Sequence, residues 1–500
     1  MHTFVLPHSL LRPSFRVWLI IAGLTLFRLV YIAFAPITEQ EAYYWLYSQH
    51  PDMAYVDHPP MVAYSIYLGT RLFGDTVFGI KFLAVIGALV TNILLYNTVQ
   101  RALPGIPRLE SIQIGILALV TYNLTLFAHA YAIIQQPDSA LLLFWLVVIY
   151  FVQEFQLTGR RMNLVYAGIG LGLGLLCKYT AAALLPGVFI ALLFSAQGRR
   201  VLLSPYPWVA VLLSVLLFSP VIYWNWQQGW VSFQMQFVER GDTISSNSVQ
   251  LKYFLQLVLT QLVMLMPLVF LFLPRFFYRM IRRWKEYRAA QFYFLSGVFI
   301  IVGFTLISFI SHVKTNWLLP GYLGVILGIV LVYRSRITIR FPWISCGLIV
   351  LCHILFLFPG LQILKINSWS GWDELTHEII ELQDKLGGPN QVFIFSDSHK
   401  ISSYISFYSP GHQRTYAKNI YGVFSKQFTV WGVPEALTGK SGLMISSEPE
   451  LPPADKAQLE RYFDRISPIG KFTYPLISFG GNATREVYCF LGTNYRLHPL

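Results

Sequence analysis

Charged residues and cysteines are both scarce in this chain of 500 residues. Only 12% of the residues are charged, whereas 55% are hydrophobic, and the mean hydropathy is +0.53. Such a chain cannot bury its apolar surface in one soluble core, so the composition excludes a soluble globular protein and favours a bilayer as the main solvent. Most of the few cysteines lie in apolar runs, so no intramolecular disulfide is predicted. They are Cys177, Cys346, Cys352 and Cys489.

Apolar runs of about 20 residues, the length that crosses a hydrocarbon core, recur from the N-terminus to about residue 360. They predict a polytopic α-helical membrane protein with about eleven transmembrane helices. The first run is too long for a removable signal peptide and lacks a small-residue cleavage site. The predicted spans are 17–36, 79–98, 112–131, 139–153, 163–177, 179–195, 207–224, 253–274, 291–311, 318–333 and 342–360.

Basic and acidic residues fall on opposite sides of these spans. Lys and Arg cluster in the loops on one side, most densely at 275–288, whereas the loops on the other side carry most of the acids. Because basic loops resist translocation, the N-terminus is predicted to be cytoplasmic and the tail to lie outside. The net charge of +13 is then a consequence of topology, and no nucleic-acid partner is expected.

The composition becomes more polar from about residue 361. Helix-like segments at 373–386 and 453–463 alternate with β-rich segments at 391–397, 427–431, 442–445 and 486–491. This alternation predicts a C-terminal soluble α/β domain over 361–500. The remaining residues, 1–360, form the predicted transmembrane domain, with a first outward loop at 37–78.

That first outward loop is rich in residues able to do chemistry. The segment 41–50 is predicted to form an amphipathic helix at the membrane interface, and the rigid Pro59-Pro60 pair follows Asp57 and His58 directly. The simpler interpretation is that the acids only solvate the loop and the aromatic residues form an interface belt. The acids are Glu39, Glu41, Asp52 and Asp57.

Two further charged residues stand at the edges of apolar runs. Asp138 follows Pro137 at the start of one span, where the helix dipole alone would favour a carboxylate. Lys178, followed by Tyr179, interrupts a nearly continuous apolar stretch, which costs a few kcal/mol unless the amine reaches the interface or an anion. Polar and aromatic clusters at 224–230 and 312–317 are predicted on the same side of the membrane as the first outward loop.

Six sequence segments, taken in their order along the chain, resemble the polyprenyl-phosphate-sugar-dependent glycosyltransferases of the GT-C superfamily. That superfamily includes protein O-mannosyltransferases and the lipid A aminoarabinose transferase. The segments are EAYYWLYSQH (41–50), YVDHPPMVAY (55–64), QQPDSALLLFW (135–145), GLGLLCKYTAAALLPG (172–187), PVIYWNWQQGWVSF (220–233) and KTNWLLPGYL (314–323). SDSHKISSYISFYSPG (396–411) extends the resemblance into the tail.

The resemblance implies a GT-C fold and transfer of a sugar from a polyprenyl-phosphate carrier to a lipid, glycan or protein acceptor, with inversion. Together with the lack of disulfide pairs, it points to a bacterial inner membrane, in which the tail is periplasmic. Such a transfer reaction needs a cation at the leaving phosphate and a carboxylate near the attacking group. Lys178 is the first candidate for the phosphate, and the acceptor side is assigned to Glu41, Asp57 and His58. Other substrate-binding candidates are Tyr179, Asp138, Arg240, Lys314 and Tyr44.

One position departs from the family pattern. Relatives carry Asp-Glu directly before Ala-Tyr-Tyr-Trp, whereas this chain has Gln40-Glu41, and an amide cannot take up a proton at neutral pH. Either Glu41 or Glu39 takes the role of base, or the acceptor ionises by itself as a phosphate does, or the enzyme is weakened or repurposed. The sequence has no paired Asp-x-Asp motif, so no obligatory metal is expected, although the acids are compatible with a divalent ion.

Two other classes of function fit a polytopic chain. A transporter or flippase of a lipid-linked substrate would place polar residues or broken helices near the middle of the bilayer, often in repeated halves, whereas the polar clusters here gather on one face. A non-catalytic scaffold would not need Glu41, Asp57 and Lys178 together.

Overall fold

The computed structural model describes residues 14–103, 105–238, 249–334, 342–357, 361–362, 368–478 and 481–498. The chain forms two compact units. Unit 1 contains residues 1–33 and 58–353, and unit 2 contains residues 34–57 and 354–500. A segment of the predicted first outward loop therefore groups with the C-terminal residues, and the domain boundary predicted at 360 stays a prediction.

The described residues are mostly helical. The helices are α1 (Phe15–Ile32), α2 (Glu39–Gln49), α3 (Met61–Phe73), α4 (Val77–Ala102), α5 (Arg108–Asn123), α6 (Leu126–Ile133), α7 (Pro137–Thr158), α8 (Met162–Cys177), α9 (Leu185–Leu193), α10 (Ala196–Leu202), α11 (Pro205–Gln227), α12 (Leu251–Arg282), α13 (Arg288–Ile307), α14 (Leu319–Tyr333), α15 (Pro342–Leu357), α16 (Trp372–Lys385), α17 (His399–Tyr408), α18 (Gln427–Trp431) and α19 (Pro453–Tyr462). The strands are β1 (Leu361–Gln362), β2 (Val392–Ser396), β3 (Ser441–Ser446), β4 (Arg465–Ser478) and β5 (Gly481–Thr493).

Unit 1 consists of long apolar helices. Within the described ranges, six helices are long and apolar enough to cross a membrane, or up to eight spans if each of two bent pairs counts as one. The bent pairs are α5 with α6, at 73°, and the segment 179–193 with α10, at 116°. The protein is thus a multi-pass membrane protein. The predicted count of about eleven would also require the three shorter apolar helices α8, α14 and α15 to cross, and it stays a prediction.

Helix α8 is central to unit 1, because it packs extensively against both α7 and α11. The contact with α11 depends on small residues: a Cβ atom added to Gly168 would clash with the backbone of Ala210. The Ser214 hydroxyl donates a hydrogen bond to the carbonyl oxygen of Gly168 at 2.7 Å. Close approach of this kind lets two apolar helices pack where there is no hydrophobic driving force between them.

Unit 2 contains a five-stranded mixed sheet with the strand order β1-β4-β5-β3-β2. β2 pairs with β3 in parallel, and β5 runs antiparallel to both β3 and β4. A cluster of buried apolar side chains, including Phe395, Met444 and Phe463, forms the core beside the sheet. The predicted helices at 373–386 and 453–463 correspond to α16 and α19, and the predicted strands at 391–397, 442–445 and 486–491 lie in β2, β3 and β5.

One secondary-structure prediction in this unit is wrong. Residues 427–431 were expected to be β-rich because of their aromatic and β-branched side chains, but they form the helix α18. Lys426 before the helix and Gly432 after it both have positive φ, at 51° and 69°. Such residues make tight turns at both ends of the segment, and the Phe428 and Trp431 rings pack against each other at 5.3 Å. Turn geometry and packing therefore override strand propensity here.

Candidate active site

Most of the predicted site residues with buried charges lie in two clusters, one in each unit. In unit 1 the cluster forms where α7 begins, where α8 ends and where the short turn Thr315–Trp317 precedes α14. Its members are Asp138, Lys178 and Asn316. In unit 2 the cluster forms around Asp57, between the end of α2 and the start of α18.

Lys178 and Asp138 form a buried ion pair. The Lys178 Nζ lies 2.9 Å from each of the two carboxylate oxygens of Asp138. The side chains are only 8% and 2% exposed, respectively. Asn316 adds a hydrogen bond from Nδ2 to the Asp138 Oδ2 at 2.7 Å. Each charge is therefore compensated. An uncompensated buried charge would strongly destabilise the fold.

The local structure explains why these groups meet. Asp138 stands in the first turn of α7, after Pro137, where the free backbone N–H groups and the helix dipole favour an anion. Lys178 ends α8 in an extended conformation, with φ of −162° and ψ of 139°, before the 3-10 turn Tyr179–Leu184. This break in the helix lets the lysine side chain leave the direction of the preceding turns and reach the start of α7.

Tyr179 continues the site on the other side of that break. Its hydroxyl lies 2.8 Å from the Oγ of Ser232, and its ring contacts Phe233 at 5.4 Å between centroids. Lys314 is exposed and begins the turn that carries Asn316. The structure thus brings Asp138 and Lys178 together. Tyr179 follows Lys178 in the chain, and its side chain contacts Ser232 and Phe233. Arg240 lies outside the described residues.

Glu41 in unit 2 caps the helix in which it lies. Its carboxylate accepts hydrogen bonds from the backbone N–H and the hydroxyl of Thr38, at 3.0 and 2.9 Å, and Thr38 in turn accepts from the Glu41 N–H. This is a capping box, and it begins α2. Glu39 forms an ion pair with Lys400. Both acids that could replace the missing Asp at Gln40 therefore have structural partners.

Asp57 is held by three donors. The hydroxyls of Tyr43 and Tyr47 donate to Oδ2 at 2.9 and 3.1 Å, and the Lys426 Nζ lies 2.9 Å from Oδ1. The residue is 6% exposed. Burial first, and then the negative charge of Asp57, raise the pKa of Tyr43 well above its ordinary value, so this tyrosine acts as a donor. These donors compensate the charge of the buried carboxylate.

A histidine accompanies this carboxylate. The His399 ring packs edge-on against Tyr43 at 4.8 Å. Burial and the positive charge of Lys426 lower the pKa of His399 to about 4, although the charge of Asp57 opposes the shift. His399 is therefore neutral at physiological pH, and its Nε2 has no hydrogen-bond partner among the described residues. A neutral imidazole can accept a proton.

Two other predicted site residues have different surroundings. Tyr44 is buried in unit 2 and packs against Tyr43 and Tyr47 at 6.0 and 5.6 Å. The helix α2 that carries it is confirmed, but residues 41–48 are all buried, so it has no exposed polar face of the kind expected for an interfacial helix. His58 belongs to unit 1 and is half-buried in the bend before α3.

The chain shares sequence and fold with known glycosyltransferases. Residues 57–224 match the sequence profile of the family described as Dolichyl-phosphate-mannose-protein mannosyltransferase. Over 439 residues the chain is 26% identical to the lipid A galacturonosyltransferase RgtD of Rhizobium johnstonii, which covers 84% of this chain and 89% of the relative. The chain is a glycosyltransferase. The predicted enzyme class, a glycosyltransferase that uses a lipid-linked sugar donor, is confirmed.

The fold of this glycosyltransferase is similar to that of ArnT from Cupriavidus metallidurans. The structure of ArnT bound to undecaprenyl phosphate has a TM-score of 0.63 at 14% identity and covers 96% of this chain and 98% of that chain. The apo structure of ArnT gives 0.60, also at 14% identity, with 95% and 97% covered. The predicted resemblance to the GT-C superfamily is confirmed.

The sequence analysis missed three residues of the glycosyltransferase that the structure makes candidates. Lys426 pairs with Asp57, and no local pattern distinguishes it from other polar residues. Asn316, which binds Asp138, lies in the polar and aromatic cluster at 312–317, but the sequence gives it no role. Lys81 is fully buried in α4. It could have been found, because a lysine within an apolar span is the same signal that selected Lys178.

No group of three or more His, Cys, Asp or Glu side chains that could hold a metal ion occurs in the part of the chain that the structure describes. The cations that face the candidate carboxylates of the glycosyltransferase are lysines, Lys178 in unit 1 and Lys426 in unit 2.

Proposed function

We propose that this glycosyltransferase transfers a sugar from a polyprenyl-phosphate carrier to lipid A or a related envelope glycan, with inversion, at the periplasmic face of a bacterial inner membrane. RgtD is named as a lipid A galacturonosyltransferase, which supports the acceptor. ArnT, whose fold is similar, binds undecaprenyl phosphate, which supports the carrier. Basic loops on the opposite side of the spans support the periplasmic face.

The observation that carries this proposal is the buried Lys178–Asp138 pair. In the proposed reaction the bond between the anomeric carbon and the carrier phosphate breaks, and negative charge develops on the phosphate oxygen. A cation already desolvated and oriented stabilises that charge more strongly than one in water. Lys178 supplies the cation, while Asp138 and Asn316 hold the amine in place. Tyr179, Lys314 and Arg240 are proposed as further donor-side residues.

The acceptor side is proposed to involve Glu41, Asp57 and His58, with Tyr44 as an aromatic contact. If the attacking group is a hydroxyl, its proton must pass to a base as the new bond to the anomeric carbon forms. If it is a phosphate, it is already ionised, and Gln40 in place of an aspartate costs nothing. A lipid A acceptor offers both kinds of oxygen, so the departure at Gln40 is compatible with transfer.

The donor-side role is tested by measuring transfer of a labelled sugar from a polyprenyl-phosphate donor in membranes. We expect Lys178→Ala to lower the rate on the order of 100-fold, as for loss of one charge-stabilising group. Asp138→Asn should lower it less, because the lysine charge remains while its position is less restricted. Lys285→Ala, which removes an exposed lysine, is the matched control and should leave the rate unchanged. Equal rates for Lys178→Ala and Lys285→Ala would refute the assignment.

We also propose that transfer does not require a metal ion, because lysine can supply the charge at the leaving phosphate. The same membranes are treated with a chelator and then assayed with and without added divalent ions. We expect the rate to change less than about twofold in either condition, whereas removal of an essential Lewis acid costs several kcal/mol of transition-state stabilisation. Loss of transfer on chelation, with recovery on adding a divalent ion, would show the proposal to be wrong.

A further inference from the structure

Unit 2 contains a cleft of about 350 Å³ that the proposed transfer reaction does not use. It is lined by the end of α2, the segment after α17 and the helix α18. Its volume is at the lower end of the range for ligand pockets, about 300 to 1,000 Å³, which suits one or two sugar rings.

The walls of the cleft are aromatic. Trp45, Tyr416, Phe428 and Trp431 all line it. The rings support one another: Trp431 lies 5.3 Å from Phe428 and 5.2 Å from the imidazole of His50. Aromatic faces carry partial negative charge, so they attract the weakly positive C–H faces of a sugar ring while polar groups at the rim bind its hydroxyls.

The charge of the cleft is positive. No Asp or Glu lines it, whereas Arg414 does. The Arg414 guanidinium lies 5.2 Å from the Tyr416 ring, and its Nη2 donates to the carbonyl oxygens of Trp431 and Gly432, both at 3.2 Å. Its side chain is exposed, and no carboxylate pairs with it within the described residues. Burial and the Arg414 charge lower the pKa of His50, in keeping with a positive local potential.

A guanidinium held in place beside aromatic walls is suited to a sugar that carries a negative charge. We propose that this cleft binds an anionic sugar unit, a hexose ring bearing a carboxylate or a phosphate group. The aromatic rings take the face of the sugar and Arg414 takes its anionic substituent. The residues that line the cleft belong to unit 2 and Lys178 belongs to unit 1, and the proposed binding does not use Lys178.

The proposal is tested by saturation-transfer NMR and calorimetry on the full chain in detergent, with galacturonate, phosphorylated glucosamine and galactose as probes. We expect at least one of the two anionic sugars to bind, and galactose to bind at least about tenfold more weakly. Comparison of galacturonate with phosphorylated glucosamine shows which anionic group the cleft prefers.

Two variants of the cleft sharpen the test. Arg414→Gln removes the cation, and Gln49→Glu adds a carboxylate to the lining without changing its shape. Each should weaken binding of the anionic sugar by about tenfold or more and leave galactose unaffected. The matched controls are Arg461→Gln and Gln458→Glu on α19, which make the same charge changes away from the cleft. They should bind as the original chain does.

Three results would overturn the proposal. The first is equal binding of galactose and of both anionic sugars. The second is equal binding by the cleft variants and their α19 controls. The third is loss of binding in Lys178→Ala, which would assign the signal to the donor site. Because Gln49→Glu alters an exposed side chain, it keeps the test decisive even if Arg414→Gln fails to fold. Loss of transfer in Lys178→Ala with binding retained would leave both proposals standing.

Discussion

At the scale of single residues, both candidate carboxylates of this glycosyltransferase are neutralised by a lysine. Asp138 is paired with Lys178, and Asp57 with Lys426, each at 2.9 Å. The pairs differ in exposure, because the Lys178 side chain is 8% exposed and that of Lys426 is 33%. Removing one member of such a pair leaves the other charge uncompensated, so a fall in transfer after one substitution does not by itself separate a catalytic role from ion pairing.

A double variant separates the two roles of Asp57. Asp57→Asn keeps the shape and the acceptor for the tyrosine hydroxyls but removes the negative charge. If Asp57 takes the proton from the acceptor, transfer should fall by about 10² to 10⁴, the usual contribution of a general base. We expect this fall, and we expect the Asp57→Asn/Lys426→Met double variant not to recover, because removing the lysine restores charge balance but no base.

The measurement is the rate of sugar transfer together with the midpoint of thermal unfolding in detergent. Asp455→Asn, which removes a carboxylate paired with Lys418 at 2.7 Å in the same unit, is the control for loss of an ion pair. Recovery of transfer in the double variant would show that Asp57 serves only to compensate Lys426. In that case His399, neutral and next to Tyr43, becomes the next base to test.

At the scale of elements, some of the apolar runs predict helices of unit 1 closely. The predicted span 207–224 corresponds to α11, and 163–177 to α8, with ends that differ by three residues or fewer. The breaks between helices are harder to predict. α12 is interrupted at Met266, which has φ of 57° directly before Pro267, although the hydropathy is continuous across it. Hydropathy measures transfer into the bilayer and carries no information on backbone direction.

Packing of α8 on α11 leaves no room for a side chain at Gly168. We expect Gly168→Val to destabilise the fold by about 1 to 3 kcal/mol, because the new side chain meets the backbone of Ala210, which cannot move independently of α11. Transfer should fall as well, because α8 leads directly into Lys178. The measurement is the thermal unfolding midpoint in detergent.

Gly303→Val in α13 is the control, because a Cβ atom at Gly303 meets nothing within 4 Å. It makes the same change of helix propensity without the clash. Equal midpoints for Gly168→Val and Gly303→Val would contradict the close-packing explanation.

At the scale of the whole molecule, the distribution of charge predicts which ends lie on which side of the membrane. The chain carries a net charge of +13, and its basic residues concentrate in a few loops, above all at 275–288. Basic loops remain in the cytoplasm, so Lys285 should face the cytoplasm and unit 2 the periplasm.

This orientation is tested with single cysteines and a membrane-impermeant maleimide on a Cys346→Ser background. Glu460→Cys, on an exposed position of α19, should react in intact spheroplasts. Lys285→Cys, also exposed, should react only after the membrane is permeabilised. The reverse pattern would place the proposed transfer at the cytoplasmic face.

The sequence alone determined the membrane class, the positions of most helices and the family resemblance. Hydropathy and charge are local properties, so they can be summed along a window of residues. Local preference was not sufficient for 427–431, where the residues favoured a strand and turns at both ends produced α18.

Only the tertiary structure decided which charges meet. Asp138 lies 40 residues from Lys178 and 178 residues from Asn316. Both contacts depend on the start of α7, the end of α8 and the turn before α14 lying at the same place. Likewise, the sequence identified Asp57 as a candidate but not Lys426 as its partner. A buried charge needs compensation, but the sequence does not state which residue provides it, because that depends on the path of the chain between them.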